Sequence, residues 1–322
     1  MQDNIFEIEK IVNFNDNAEI FIGCSSFEER CLGTIKKFGP EYHYLKAFIF
    51  IYNKPDPKRE EHTRIIFDIL SKKGPFEPIS ASEIDPLLSI KFLIQELKAI
   101  LISHKKITLS IDITTFTKKH LLLLLNYLDK NDLFNSIRIF YTEPKTYTTN
   151  LYLPMSFGIL PIYTVTGFVT TQSLNKRNLL AIFLGYEGDR ASALVNNFEP
   201  NETVLIIPDP PYHPEWRGRT EEMNKNLIEI IGKDKVESID SLNPHKIIIK
   251  MKSLFGKEGK YNLEKYHCSI SPLGTKPQAL GLYLFWRQYR GKFSIVYAPP
   301  YMHNESFYSK GIGTTWQLLS PN

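Results

Sequence analysis

Two stretches of the chain set a threonine beside a lysine where a short apolar strand runs into a helix pattern. SIDITTFTKKHLLLLLNYL, from Ser110, places Thr117 before Lys118, and SISPLGTKPQALGLYLFW, from Ser269, places Thr275 before Lys276. A lysine at the start of a helix joins a point positive charge to a hydroxyl and to the backbone N–H groups that a helix start leaves unpaired, a combination that suits phosphate. The helix dipole disfavours a cation at that end. Two such lysines in matching places favour an anion more than one would, with two solvated first-turn side chains as the alternative. Asp112, Thr114, Ser271 and Gly274 lie in the same two turns and are candidate ligand contacts with them.

A second pair of turns follows an earlier strand in each half. GCSSFEER supplies Gly23, Ser25, Ser26 and Arg30, and GYEGDR supplies Gly185, Glu187 and Arg190. Small residues at a helix start hold phosphate through the backbone. Equally, Ser25 or Ser26 caps a helix over 24–39 while Arg30 and Arg190 make salt bridges to acidic neighbours. Neither turn is G-x-G-x-x-G and the chain has no G-x-x-x-x-G-K-[ST], which disfavours ordinary NAD and P-loop ATP chemistry. In PDPPYHPEWRGR (208–219), Trp216 has a ring to stack on a base and Arg217 a fork to clamp a phosphate. A proline-stiffened loop with one buried aromatic explains the same residues.

Catalytic signals are weaker. Asp112 with Glu28, Glu29, Glu187 and Asp189 could gather round a hard cation, but capping and salt bridging is the favoured role. Cys24 at a helix start could be an activated thiol, but a small buried residue is favoured. No H-E-x-x-H, serine-triad order or G-x-S-x-G elbow occurs. The reading assigns no catalytic residue, metal ligand or cofactor.

The elements that would position these residues repeat. EIFIG ending at Gly23 matches LAIFLG ending at Gly185; LKAFIFIYN matches TVLIIPDPP; a short strand at 78–82 matches one at 235–239; the two Thr-Lys stretches match; and SIRIFYTEP matches KFSIVYAPP. Helix patterns fall between them, with Thr220 the expected cap of the one after TVLIIPDPP. Five strand segments in unchanged order indicate a duplicated unit. Short continuous apolar strands separated by helices indicate parallel sheets covered on both faces. The expected halves are 1–178, ending in an added strand or hairpin and linker over 151–178, and 179–322, ending in an equivalent piece near Thr314. Ligands of open parallel sheets bind beyond the carboxyl ends of the strands. All four turns fall there, and Tyr147 and Tyr301 follow the fifth strands.

Composition sets limits. With 322 residues, 43% hydrophobic, the chain can bury a large core, and a net charge of +4 from 39 basic and 35 acidic residues is too small for sequence-independent binding to duplex nucleic acid. Cys24, Cys31 and Cys268 fit neither a disulfide framework nor a zinc motif, and no signal peptide or membrane span is visible. A cytoplasmic location without membrane partners is expected.

ITTFTK (113–118) resembles the I-T-G-G-T-K signature of the CARF domains, the CRISPR-associated Rossmann folds, and SPLGTK (271–276) is similar with one residue more. GYEGDR resembles the G-x-E-x-x-R turn that some of them carry. Thr115 and Phe116 stand where the signature has paired glycines. The resemblance implies an α/β fold of two tandem CARF-like, Rossmann-like parallel-sheet halves related by a pseudo-two-fold, as in the fused SAVED nucleotide sensors of antiphage systems. It also implies a cyclic oligoadenylate or related nucleotide held by Thr117, Lys118, Thr275 and Lys276 between the halves, and a separate effector protein as partner. A phosphodiesterase or metal-dependent nuclease using the same cleft, and a protein-interaction scaffold, are the alternatives.

Overall fold

The structure is a computed structural model and describes residues 7–15, 18–104, 107–133, 137–147, 154–171 and 175–319. The chain divides into two units. The first comprises Met1–Thr149 with Tyr308–Asn322, and the second Asn150–Phe307.

In the first unit the chain forms β1 (Glu7–Lys10), β2 (Ala18–Ser25), β3 (Tyr44–Tyr52), α1 (Pro57–Ser71), β4 (Phe76–Ala81), α2 (Leu87–Ser103), β5 (Leu109–Asp112), α3 (Lys118–Lys130) and β6 (Ile137–Tyr147). The second unit contributes β7 (Ser156–Ile159), β8 (Tyr163–Thr164), β9 (Arg177–Phe183), α4 (Gly188–Phe198), β10 (Glu202–Pro208), α5 (Glu215–Met223), α6 (Lys225–Ile231), β11 (Val236–Ile239), α7 (Pro244–Phe255), β12 (Tyr266–Pro272), α8 (Lys276–Gln288), β13 (Phe293–Tyr297) and β14 (Pro300–His303). The chain then returns to the first unit as β15 (Ser309–Leu319).

Helix boundaries follow local chemistry. Asp56 caps α1 through Arg59 N, with Pro57 at the first position where its missing N–H costs nothing. Asn243 and Pro244 do the same for α7. The five leucines 121–125 are all buried in α3, as expected of a helix apolar on every side. Gly281 of α8 lies where a Cβ would come 2.5 Å from Ile247 of α7, so a glycine lets the two helices close. Among the described residues no helix is long and apolar enough to cross a membrane.

The first sheet has the order β1-β15-β6-β5-β2-β3-β4 and the second β11-β10-β9-β12-β13-β8. In each, five strands are parallel and an antiparallel strand lies beside the fifth: β15 on β6, and β8 on β13. Counted within its own unit, each parallel set runs 3-2-1-4-5, so chain order reverses between the first and fourth strands. A separate ribbon pairs β7 with β14.

Three expectations need correction. The boundary at 178/179 is displaced: the chain divides at 149/150, residues 150–178 go with the second unit, and the strand around Thr314 goes with the first. Part of that linker, 151–153 and 172–174, lies outside the described residues. Second, the helix over 24–39 does not form. Ser25 ends β2, and only short 3-10 turns follow at Glu29–Leu32 and Ile35–Lys37. Gly33 sits against Thr142, leaving no room for a side chain, and Arg30 folds onto Glu28 two residues back, a spacing that an α-helix would splay apart. Third, Thr220 is no cap. It lies inside α5 and donates to Trp216 O at 3.0 Å.

Candidate functional site

The turns after the first and fourth strands meet at the same end of each sheet. In the first unit Thr115 Oγ1 donates to Cys24 O at 2.7 Å, joining the fourth-strand turn to the end of β2. In the second, a Cβ on Gly185 would come 2.7 Å from Leu273 O. Only a residue without a side chain allows that approach. These are the places where chain order reverses, where open parallel sheets take their ligands.

In the first unit the turn is filled by its own side chains. Asp112 is buried at the end of β5 and accepts from Thr114 N at 2.9 Å and from the Thr114 hydroxyl, which accepts in turn from Thr142 N. Burial raises the Asp112 carboxyl above its usual range, against the pull of those hydrogen bonds and of Arg30. The carboxylate closes a turn rather than gathering a cation, and Gly23 lies within β2 beneath it, beside the Phe21 ring. Phe116 is fully buried against Phe50 and His120. Thr117 caps α3 by accepting from His120 N at 3.2 Å, and its own N–H donates to the Tyr52 hydroxyl at 3.0 Å. That hydroxyl also shares a 3.1 Å hydrogen bond with His120 Nδ1. Burial pulls the imidazole pKa down to about 3, so the ring is neutral. Lys118 opens the helix, half-buried.

In the second unit Thr275 caps α8 in a reciprocal box. Gln278 N donates to Thr275 Oγ1 at 3.1 Å, Thr275 N donates to Gln278 Oε1 at 3.0 Å, and the threonine hydroxyl donates to Ser241 O at 2.6 Å. Gly274 leaves the space that the Gln278 amide occupies. Lys276 follows as the first helical residue, half-buried. Ser271 Oγ, near the end of β12, is fully buried and finds no partner among the described residues.

The first-strand turns hold ion pairs. Glu28 takes Arg30 Nε at 2.8 Å and Nη2 at 3.0 Å, while Arg30 Nη1 donates to the Tyr141 hydroxyl at 3.4 Å. Glu187 takes Arg190 Nη1 at 2.5 Å, Arg190 Nε donates to Ala298 O at 2.8 Å, and the guanidinium lies 5.3 Å over the Tyr297 ring. Each glutamate also accepts a serine hydroxyl, Glu28 from Ser309 and Glu187 from Ser156. Burial alone would raise the Glu187 carboxyl, but Arg190, Ser156 and His303 together bring it below its usual value. Both arginines are 3% exposed. Of the two readings open for these arginines, the salt bridge is what forms. Ser25 shares a 2.7 Å hydrogen bond with Thr63, and Ser26 accepts from Glu28 N.

The remaining candidates disperse. Trp216 is buried in α5 between Tyr212 and His213, so the buried aromatic replaces the stacking platform. Arg217 is paired with Asp209 and Glu221. Tyr301 is 72% exposed on β14 and Tyr147 ends β6. Burial raises the thiols of Cys24, Cys31 and Cys268, Cys31 to about 12, which removes the nucleophile reading of Cys24. Among the described residues no three His, Cys, Asp or Glu side chains are grouped to hold a metal ion.

No family model and no curated protein matches the chain. Among solved structures, the cytoplasmic domain of a prokaryotic cation chloride cotransporter is similar over 90% of this chain and 99% of that one, at 10% identity and a TM-score of 0.27. A score that low carries no conclusion about fold or site.

Gln278 could have been found from the T-x-x-Q spacing after Thr275, a capping-box signature. Ser156 and Ser309 could not, because each reaches its glutamate from a distant strand.

Proposed function

We propose that the chain is a non-catalytic sensor that binds an oligonucleotide second messenger at its fourth-strand turns and signals to a separate effector, its two units having arisen by duplication. The observation that supports this reading is the placement of a Thr-Lys pair, in both units, at the point where chain order reverses. The second unit is the stronger binding candidate. Its turn combines Lys276 with the close approach at Gly185 and the Ser271 hydroxyl, which has no partner among the described residues, whereas Phe116 and the Asp112 carboxylate occupy the first. Shared strand order, and a Ser-Glu-Arg-Tyr set behind the first strand of each unit, support the duplication.

The test is thermal melting with cyclic and linear di-, tri- and tetranucleotides. A ligand that binds the folded chain raises the melting temperature, and Lys276→Ala should abolish the shift while Lys118→Ala reduces it less. No shift with any of these nucleotides overturns the reading. Recovery of hydrolysed nucleotide from the same incubations would replace the sensor with an enzyme.

A further inference from the structure

β15 is held unequally along its length. From Thr315 to Leu319 it pairs with β6 on one side, and from Trp316 to Leu319 with β1 on the other. Thr315 Oγ1 meets Thr142 Oγ1 at 3.0 Å, Trp316 Nε1 donates to Glu143 Oε1 at 2.8 Å, and Leu318 is fully buried. Between Ile312 and Thr315 the register slips. Beyond the slip, Ser309 to Ile312 have β6 as their one strand partner among the described residues, and Ile312 stands opposite Pro144, which has no N–H to give. Gly311, at a φ of +70°, and Gly313, tight against the Glu143 and Pro144 carbonyls, flank the slip with backbone that other residues would resist.

Two contacts close this outer arm down. The Ser309 hydroxyl donates to Glu28, the same carboxylate that holds Arg30, and Tyr308 meets Phe27 edge to face at 5.8 Å. Because β15 is antiparallel to β6, the arm lies at the carboxyl end of the parallel strands, where the first-strand turn emerges.

We propose that residues 309–312 form a hinged strap, latched by Ser309 on Glu28, that closes over the Glu28–Arg30 pair while the rest of β15 stays fixed in the sheet. The hinge is the register slip and its two glycines. The latch is the charge-assisted Ser309–Glu28 hydrogen bond with the Tyr308–Phe27 ring contact, added to the pairing of Ser309–Ile312 with β6, and opening the strap breaks these while Thr315–Leu319 stay in the sheet. This device stands on the contacts within the first unit and does not depend on what, if anything, the fourth-strand turns bind.

Hydrogen exchange on the full-length chain tests it. Ser309→Ala should speed exchange of the 309–312 amides by roughly tenfold, the loss of one hydrogen bond to a charged group, and leave 315–319 unchanged. Ser309→Thr, which restores a hydroxyl, should return the wild-type rate. Glu28→Gln should act in the same direction, and if burying Arg30 without its partner prevents folding, Ser309→Ala still decides the matter. Unaltered exchange at 309–312 in Ser309→Ala, or equal acceleration through 315–319, overturns the strap.

Discussion

Gln278 folds back over the start of α8 so that its amide oxygen takes the Thr275 N–H at 3.0 Å, in the space that a side chain on Gly274 would fill. The glycine of the Thr-Lys turn thus serves the helix cap. Gly274→Ala would place a Cβ 2.0 Å from Gln278 Oε1 and push the amide away. Gly274→Ala should cost about 1 kcal/mol, the usual worth of a cap, and Gln278→Ala more, because the buried amide also donates to Ile239 O at 3.4 Å and to Asp240 O at 3.2 Å. Because both break the Thr275 N–H bond, the double variant should cost little more than Gln278→Ala alone. Urea unfolding of the three variants checks this, and additive losses would show that the glycine matters for another reason.

Phe116 occupies a position where the resembling signature has glycine, and its ring is fully buried 5.4 Å from Phe50 and 4.9 Å from His120, centroid to centroid. Phe116→Ala should destabilise the chain by about 3–5 kcal/mol. A loss under about 1 kcal/mol in equilibrium unfolding would mean that the turn is not packed as described.

His120 makes stability depend on pH. Its folded pKa, about 3, lies below the ordinary 6.5, so between those values the unfolded chain binds the proton and the folded chain does not. Stability conferred by a neutral buried ring is therefore present above pH 6.5 and lost as pH falls. The slope from this residue approaches about 1.4 kcal/mol per pH unit well below 6.5. Comparing unfolding free energies from pH 7 to pH 5 for wild type and His120→Gln should show a shallower decline in the variant. Parallel declines would remove His120 as the cause.

The parallel layers were readable because their signal is local. Runs such as AFIFIY and VLIIP are apolar throughout, as strands covered on both faces must be, and Asn243-Pro244 and Thr275 announce their helices by side-chain chemistry. The first-strand turn was misread because its helix pattern is local too, while what overrules it is not. Gly33 packs on Thr142 from a strand more than a hundred residues away, and Ser309 reaches Glu28 from the far end of the chain. The placement of the added strands was invisible for the same reason: 163–164 and 309–319 carry no mark of which sheet they will join. Arg30 and Arg190 were found as charged residues in the right turns, but only the fold shows them buried in pairs.

All three thiols are buried and raised in pKa by that burial. A disulfide thiol reagent at pH 8 should label none of them in the native chain and all three after denaturation. Prompt labelling of one cysteine without unfolding would return Cys24 to consideration as a reactive group.

Glu187 and Arg190 provide the sharpest test of the ion pairs. Arg190 is buried, and Glu187 is the carboxylate paired with it. Glu187→Gln keeps the shape but leaves the guanidinium charge uncompensated, at a cost of about 3–5 kcal/mol. Replacing both, Glu187→Gln with Arg190→Met, removes the stranded charge and should recover part of that loss. If Glu187→Gln unfolds at the wild-type urea concentration, the pair is not holding the turn, and the matching arrangement at Glu28 and Arg30 would need re-examination on the same grounds.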